Sequence, residues 1–191
     1  MPVARQAFLI MKAVFITFLF ININLFSQTS IVFEKCGVKK SLGSDYFYSA
    51  KSEDLKCISQ NSEQQVLVYV FEWWCKPCNE KIDEIKTFAS SNNLKLIILT
   101  IEKENSKDIK KDETILKDKY KIANAVVLSD SYGKNSRKKY SNFLNEIYNG
   151  KEAIEDLSKL IIYDKKGNVK YISNWQDGNN VLNEKIVALL D

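Results

Sequence analysis

Histidine is missing from this sequence of 191 residues, and proline occurs only twice, as Pro2 and Pro77. Without histidine, Ser-His-Asp and Cys-His catalysis, His-ligated haem and most zinc enzymes are excluded. Any chemistry must therefore use thiols, carboxylates, lysines or tyrosines. Because no proline follows Pro77, no cis-proline turn can form in the second half of the chain.

Long runs of one charge sign are also missing, although the net charge is +4. Lysines alternate with acids, for example in the segment 103–114, KENSKDIKKDET. Such a run is typical of a solvated helix face, and no arginine-rich stripe with interleaved aromatic residues is present. We therefore expect no nucleic-acid partner. Hydrophobic residues make up 45% of the chain, which is enough for an ordinary globular core.

Residues 1–27 have the pattern of an export signal. Lys12 precedes an apolar run over residues 13–26, and a polar stretch begins at Ser27. A positive residue, an apolar run and a polar exit are typical of a secretory signal. We expect cleavage after Ser27 to leave a domain of residues 28–191 in the periplasm or otherwise exported in a bacterial envelope. The alternative is an uncleaved anchor, through which the protein would meet the membrane.

The hydrophobic pattern predicts one α/β domain. The predicted strands are residues 66–71, 94–101, 125–128, 160–163 and 169–172. The predicted helices are residues 77–90, 106–120, 134–157, with a break at Asn149-Gly150, and 179–190. Residues 31–60 are expected to hold a short strand or hairpin. Strands that alternate with helices imply a central sheet with helices on both faces, here followed by a β-hairpin and a last helix.

The most informative string is FEWWCKPC, residues 71–78, because it follows a predicted buried strand and opens an amphipathic helix. A CxxC pair alone is weak evidence, and the position gives it meaning. Backbone N–H groups at a helix N-terminus favour the thiolate of Cys75. Pro77 fits the first helical turn, where its missing N–H costs nothing. Cys78 lies one turn later and more deeply, within reach of Cys75.

This arrangement predicts thiol–disulfide exchange. Cys75 would attack a substrate disulfide, and Cys78 would then attack the mixed disulfide and release the product. Lys76 adds a positive charge beside the attacking sulfur, and Trp74 offers a flat apolar wall for a substrate chain. Glu72 is either a proton acceptor for Cys78 or, as we favour, a surface residue at the end of the strand. No cofactor and no metal are required.

The string Trp-Cys-Lys-Pro-Cys, residues 74–78, resembles the active site of thioredoxins, whose signature is Trp-Cys-x-Pro-Cys. With the export signal, the chain is similar to the secreted disulfide reductases of the TlpA and ResA type. Residues 160–169, LIIYDKKGNV, resemble the family's strand–Asp–x–x–Gly–strand pattern. The resemblance implies a thioredoxin-like fold with a mixed sheet, protein disulfides as substrates and a membrane or soluble thiol as electron donor. We expect a monomer.

Two positions depart from the family's pattern. The family has a cis-proline just before the hairpin strand, which shapes the substrate groove and keeps metal off the cysteines, and Ser158 stands at the matching position. A cis bond before serine would cost ~3 kcal/mol, so we expect a trans bond. The family's buried acid, six residues before the first cysteine, is replaced by Tyr69. Residues 141–157 are expected to add a helical segment beside the groove.

These departures leave a second hypothesis open, a thioredoxin-like binding or scaffold module in which the CxxC pair is a locked disulfide. The other two cysteines, Cys36 and Cys57, favour a structural disulfide in an exported domain. Closing a loop of about 21 residues would stabilise the fold by ~3 kcal/mol. A relay pair that exchanges with the CxxC cysteines and two unpaired thiols are the alternatives. A four-cysteine zinc site is disfavoured, because this pair lacks the close spacing of a zinc knuckle.

Overall fold

A computed structural model of the protein describes residues 32–148, 156–174, 177 and 182–190. The predicted export segment, residues 1–27, lies outside the described residues, and the domain boundary at residue 28 stays a prediction. Among the helices of the described part, none combines the length and the apolar character needed to cross a membrane.

The described chain is built on a seven-stranded mixed sheet. Its strands are β1 (Lys39–Lys40), β2 (Tyr48–Ala50), β3 (Val66–Val70), β4 (Lys95–Thr100), β5 (Ala125–Leu128), β6 (Leu160–Tyr163) and β7 (Val169–Ile172). They lie in the order β1-β2-β5-β4-β3-β6-β7. Strands β2, β5, β4 and β3 run parallel, while β6 pairs antiparallel with β3 and forms a hairpin with β7.

Four α-helices of eight residues or more flank the sheet in the described part: α1 (Ser52–Gln60), α2 (Lys76–Ser91), α3 (Lys107–Thr114) and α4 (Ser136–Ile147). A π-helical segment, Ile115–Lys119, continues α3. The N-termini of α3 and α4 are capped by the side chains of Ser106 and Asn135, which accept hydrogen bonds from backbone N–H groups in the first turn.

Side chains on β3 alternate between two apolar clusters, one on each face of the sheet. Leu67 and Tyr69 pack in the cluster that holds the buried residues of α2 and α3. Val66, Val68 and Val70 pack in the cluster that holds the buried residues of α1 and α4. All five residues of β3 are fully buried, as a continuous run of residues that favour strands predicts. Helices on both faces and the terminal hairpin confirm the predicted fold class.

Several predicted boundaries differ from those of the structure. Helix α1 lies in residues 31–60, where only a strand or hairpin was expected. The sequence did not predict this helix because its inward side is short and surrounded by polar residues. Helix α4 ends at Ile147, since the backbone of Tyr148 is extended, and residues 156 and 157 are not helical. Residues 149–155 lie outside the described residues. The last segment is a π-helical turn, Leu182–Ile186, and a 3₁₀ turn rather than a regular α-helix.

A disulfide joins Cys36, which follows a single helical turn at residues 32–35, to Cys57 on α1, with Cα atoms 5.8 Å apart. Cys36 packs against the apolar cluster on the α1 and α4 side of the sheet. Cys75 and Cys78 belong to the cluster on the opposite side. The sheet therefore separates the two pairs, which favours a structural role over direct exchange between them.

Replacing both Cys36 and Cys57 with alanine should lower the free energy of unfolding by about 3 kcal/mol, because the unfolded chain regains the freedom of a 21-residue loop. Urea denaturation monitored by tryptophan fluorescence measures the change. The matched control is the Cys75→Ala/Cys78→Ala variant, whose loop spans 3 residues and whose loss should be smaller. Equal losses in the two variants would contradict the structural role.

Candidate active site

The CxxC segment joins the end of β3 to the start of α2. Cys75 is the N-cap of α2, and its Sγ accepts a hydrogen bond from the backbone N–H of Cys78 at 3.2 Å. The two cysteines form a disulfide with Cα atoms 5.2 Å apart. Pro77 lies in the first turn, where its missing N–H leaves no carbonyl unpaired. The Cys75 sulfur thus faces the unpaired amides of a helix N-terminus, which stabilise a thiolate.

The two sulfurs differ in access to solvent. Cys78 has no exposed surface, whereas Cys75 keeps 7% of its surface exposed. Cys75 is therefore less open than expected for the attacking thiol, because the disulfide holds its sulfur against Cys78. Trp74 is 51% exposed, and its indole N–H donates to a carboxylate oxygen of Glu102 at 3.2 Å. This bond fixes an apolar ring at the surface beside the disulfide.

Lys76 projects into solvent, and its ammonium forms an ion pair with Glu80 at 3.7 Å, one turn further along α2. Exposed pairs of this kind contribute little energy. The pair draws the charge of Lys76 along the helix surface.

Asn79 ties the loop together, although the sequence carried no signal for it. Its side-chain amide donates to the carbonyls of Trp73 and Cys75, both at 3.0 Å, and lies 3.4 Å from that of Glu72. The hydroxyl of Tyr120 donates to the Asn79 carbonyl at 3.0 Å. A neutral amide one position after the second cysteine therefore binds carbonyl groups of the loop that leads to the first cysteine.

The favoured interpretation of Glu72 as a surface residue is wrong, because Glu72 is fully buried. Its backbone carbonyl accepts from the N–H of Cys75 at 3.0 Å. Its Oε1 lies 2.9 Å from the Thr100 hydroxyl and accepts from the N–H of Ile101 at 2.6 Å. The chain turns inward after β3, so the side chain meets the end of β4 instead of water. Burial and the nearby charge of Asp112 raise the pKa of Glu72 well above its usual value.

Asp112 is a site residue that the sequence analysis missed, since it lies in the charge run expected to face solvent. Asp112 and Ile109 are the buried residues of α3. One carboxyl oxygen accepts from the backbone N–H of Trp73 at 2.7 Å, and the other lies 2.8 Å from the Thr100 hydroxyl. Burial raises the pKa of Asp112 to about 7. Lys111 covers the ring of Trp73, with its ammonium 3.9 Å from the centroid.

The two positions that depart from the family's pattern contact each other. The Tyr69 hydroxyl lies 2.9 Å from Ser158 Oγ and donates to the Cys78 carbonyl at 3.2 Å. Ser158 has a positive φ of 64°, and no cis peptide bond occurs in the described part of the chain. Burial raises the pKa of Tyr69 to about 12, so its hydroxyl is neutral at physiological pH. A bond between hydroxyls thus links β3, the start of β6 and the second cysteine.

A central sheet with four parallel strands, an antiparallel hairpin at one edge and a CxxC helix after a middle strand defines the fold class. The fold is thioredoxin-like. No protein-family model matches the sequence, and no curated protein matches it either.

Solved structures similar to this chain include three bacterial proteins. A thioredoxin-like protein from Porphyromonas gingivalis is 15% identical, with a TM-score of 0.48 over 68% of this chain and 78% of that one. A thiol-disulfide oxidoreductase from Bacteroides fragilis is 17% identical, with a TM-score of 0.47 over 69% and 88% of the chains. StoA from Bacillus subtilis is 16% identical, with a TM-score of 0.42 over 60% and 75%. Identities of this size concern the fold alone.

Replacing Tyr69 with phenylalanine should lower the free energy of unfolding by about 1–3 kcal/mol, because the Cys78 carbonyl and the Ser158 hydroxyl lose a buried partner. The Ser158→Ala variant removes the same contact from the other side, so the double variant should lose less than the sum of the single losses. Urea denaturation of the four proteins measures this coupling.

The matched control is Tyr163→Phe on β6. The Tyr163 hydroxyl is buried without a hydrogen-bond partner among the described residues, so its removal should not destabilise the protein. Strictly additive losses at Tyr69 and Ser158 would contradict the contact between their hydroxyls.

Proposed function

We propose that this protein is an exported thiol–disulfide oxidoreductase that reduces protein disulfides through Cys75 and Cys78. One observation carries the proposal: the Cys75 sulfur caps α2 and accepts the Cys78 N–H, while Cys78 itself is fully buried. This asymmetry suits a dithiol in which one sulfur attacks the substrate and the other, more deeply buried, resolves the mixed disulfide.

In the proposed reaction the reduced Cys75 thiolate attacks one sulfur of a substrate disulfide. A mixed disulfide forms, the substrate's S–S bond breaks, and its leaving thiolate takes up a proton. Cys78 then loses its proton and attacks the Cys75 sulfur, which expels the second substrate thiolate and closes the Cys75–Cys78 disulfide. The substrate gains two electrons and two protons, and an external thiol donor restores the dithiol.

The supporting residues take different parts in this proposal. Trp74 offers its exposed ring as a wall for the substrate chain. Pro77 sets the first turn of α2, and Lys76 adds a distant positive charge. Ser158 closes the groove from the hairpin side, with its hydroxyl turned to Tyr69. Proton acceptance from Cys78 stays a prediction for Glu72, whose carboxyl is bonded to the end of β4.

Export rests on the signal pattern of residues 1–27, and reduction as the working direction rests on the resemblance of the CxxC string. Outside the cytoplasm a dithiol is driven towards the disulfide, so a reductase needs a dedicated donor. We propose a membrane-bound or soluble thiol protein for that role and a monomer as the working unit. No cofactor is part of the proposal.

A locked disulfide in a binding or scaffold module is the competing function, and the low exposure of Cys75 favours it. In that case the pair would resist mild reductants and would not turn over. The two functions differ in what the cysteines do after reduction, which single-cysteine variants can separate.

The Cys75→Ser variant should abolish catalysis of insulin reduction by dithiothreitol, because it removes the attacking sulfur. The Cys78→Ser variant should instead accumulate a mixed disulfide at Cys75, detectable by mass spectrometry. The Cys36→Ala/Cys57→Ala variant, assayed below its unfolding transition, is the control and should keep its activity. Unchanged turnover in Cys75→Ser would contradict the enzymatic function and leave the binding module.

A further inference from the structure

Two carboxyl groups meet one hydroxyl group beneath the loop that carries the CxxC pair. Thr100 Oγ1 lies 2.9 Å from Glu72 Oε1 and 2.8 Å from Asp112 Oδ2. All three residues are fully buried. The opposite oxygen of Asp112 accepts from the backbone N–H of Trp73, two residues before the first cysteine. The cluster is therefore connected directly to the active-site loop.

Counting protons shows that the cluster cannot be fully ionised. A threonine hydroxyl has one proton and can donate to only one of its two carboxyl neighbours. The second contact, at a similar distance, needs a proton on a carboxyl oxygen, since otherwise two lone pairs would face each other. In one arrangement Asp112 donates to Thr100 and Thr100 donates to Glu72. In the other, Glu72 donates to Thr100 and Thr100 donates to Asp112. At least one proton is shared by the two carboxyl groups.

The surroundings decide which carboxyl loses its proton first. Glu72 Oε2 is buried without a hydrogen-bond partner among the described residues, so a negative charge on Glu72 would be poorly stabilised. The donors to Glu72, the Ile101 N–H and the Thr100 hydroxyl, both meet Oε1, whereas the donors to Asp112, the Trp73 N–H and the Thr100 hydroxyl, meet one oxygen each. A negative charge is therefore better stabilised on Asp112 than on Glu72.

The cluster faces charged groups from every element around it. They are Glu102 after β4, Asp108 and Lys111 on α3, and Lys139 on α4. The Lys139 ammonium is bound to the carbonyls of Glu102 and Leu128 and to Asp130, so its charge is largely compensated. Burial, together with the neighbouring acids, raises the pKa values of both carboxyl groups, that of Asp112 to about 7.

We propose that Glu72, Thr100 and Asp112 form a proton-sharing cluster in which Asp112 is a positioning residue whose charge state is coupled to the redox state of the CxxC pair. Asp112 accepts the hydrogen bond from the Trp73 N–H whether its carboxyl group is protonated or ionised, and so holds the loop in both charge states. When Asp112 ionises, a negative charge appears beneath the loop and opposes the Cys75 thiolate. The coupling is reciprocal, so forming the thiolate makes Asp112 harder to ionise. This coupling rests on the proposed function, whereas the shared proton does not.

The Asp112→Asn variant isolates the charge from the contact. Asparagine keeps an oxygen for the Trp73 N–H and offers an N–H to Thr100, so it imitates the protonated acid at every pH. Its urea midpoint at pH 6 should match that of the native protein. The equilibrium constant for reduction by glutathione should also match at pH 6 and should be several-fold larger in the variant at pH 8.5, because the variant lacks the negative charge that opposes the Cys75 thiolate.

The second measurement follows the carboxyl carbons of the oxidised full-length protein by ¹³C NMR from pH 4 to pH 9. We expect one carboxyl to titrate near pH 7 in the native protein and this transition to be absent from Asp112→Asn. Two carboxyl groups that titrate below pH 5 would overturn the shared proton. Equal glutathione constants of variant and native protein at pH 8.5 would overturn the coupling. A disulfide that glutathione cannot reduce would overturn the proposed function and the coupling together, while the NMR titration would still test the cluster.

Discussion

The constraint on which the site depends is the burial of a turn. Between the fully buried strand β3 and the N-terminus of α2 the chain changes direction over residues 71–75, and three of these residues, Phe71, Glu72 and Cys75, are buried. Each N–H and carbonyl of such a turn needs a partner from the protein, because an unpaired buried group costs about 1–3 kcal/mol. Asn79 supplies donors for the carbonyls, and Asp112 supplies an acceptor for the Trp73 N–H. The geometry of the cysteines follows from these partners.

Local pattern was enough to predict β3, α2 and the position of the cysteines, because a continuous apolar run and an N-terminal proline determine them within a few residues. It failed where a polar residue is buried by a distant part of the chain. Asp112 lies within a run of alternating charges and is distinguished from its neighbours only by facing Trp73, 39 residues earlier. Tyr69 and Ser158, 89 residues apart, carry no periodic signal that links them. Glu72 is buried against the end of β4, and none of the residues next to it in the sequence indicates this burial.

Two buried lysines show that polar groups buried near the strand ends are also paired with partners from the protein. The Lys139 ammonium binds two carbonyls and Asp130, and the Lys159 ammonium binds Asp156 and the carbonyl of Ser173. Both side chains have no exposed surface. Burying an ammonium is costly unless its donors are satisfied, so these bonds hold the ends of the strands in place rather than adding much net stability. The Lys159 carbonyl also accepts from Val70, which joins the hairpin to the strand that leads to the cysteines.

Tyr69 stands where the thioredoxin pattern that the CxxC string resembles has an acid, and a tyrosine there limits the proton chemistry available near the cysteines. With a pKa of about 12, Tyr69 stays neutral at any pH at which a thiol exchanges disulfides, so it can order Cys78 through a hydrogen bond but cannot take up its proton as an anion. Two buried carboxyl groups, those of Glu72 and Asp112, instead form hydrogen bonds with the loop and with the end of β4. In the proposed oxidoreductase, the electrostatic influence on the thiolate therefore comes from the loop that precedes α2 and not from β3. Since that loop also carries Trp73 and Trp74, the charge state of the cluster and the surface offered to a substrate are linked by one short stretch of backbone.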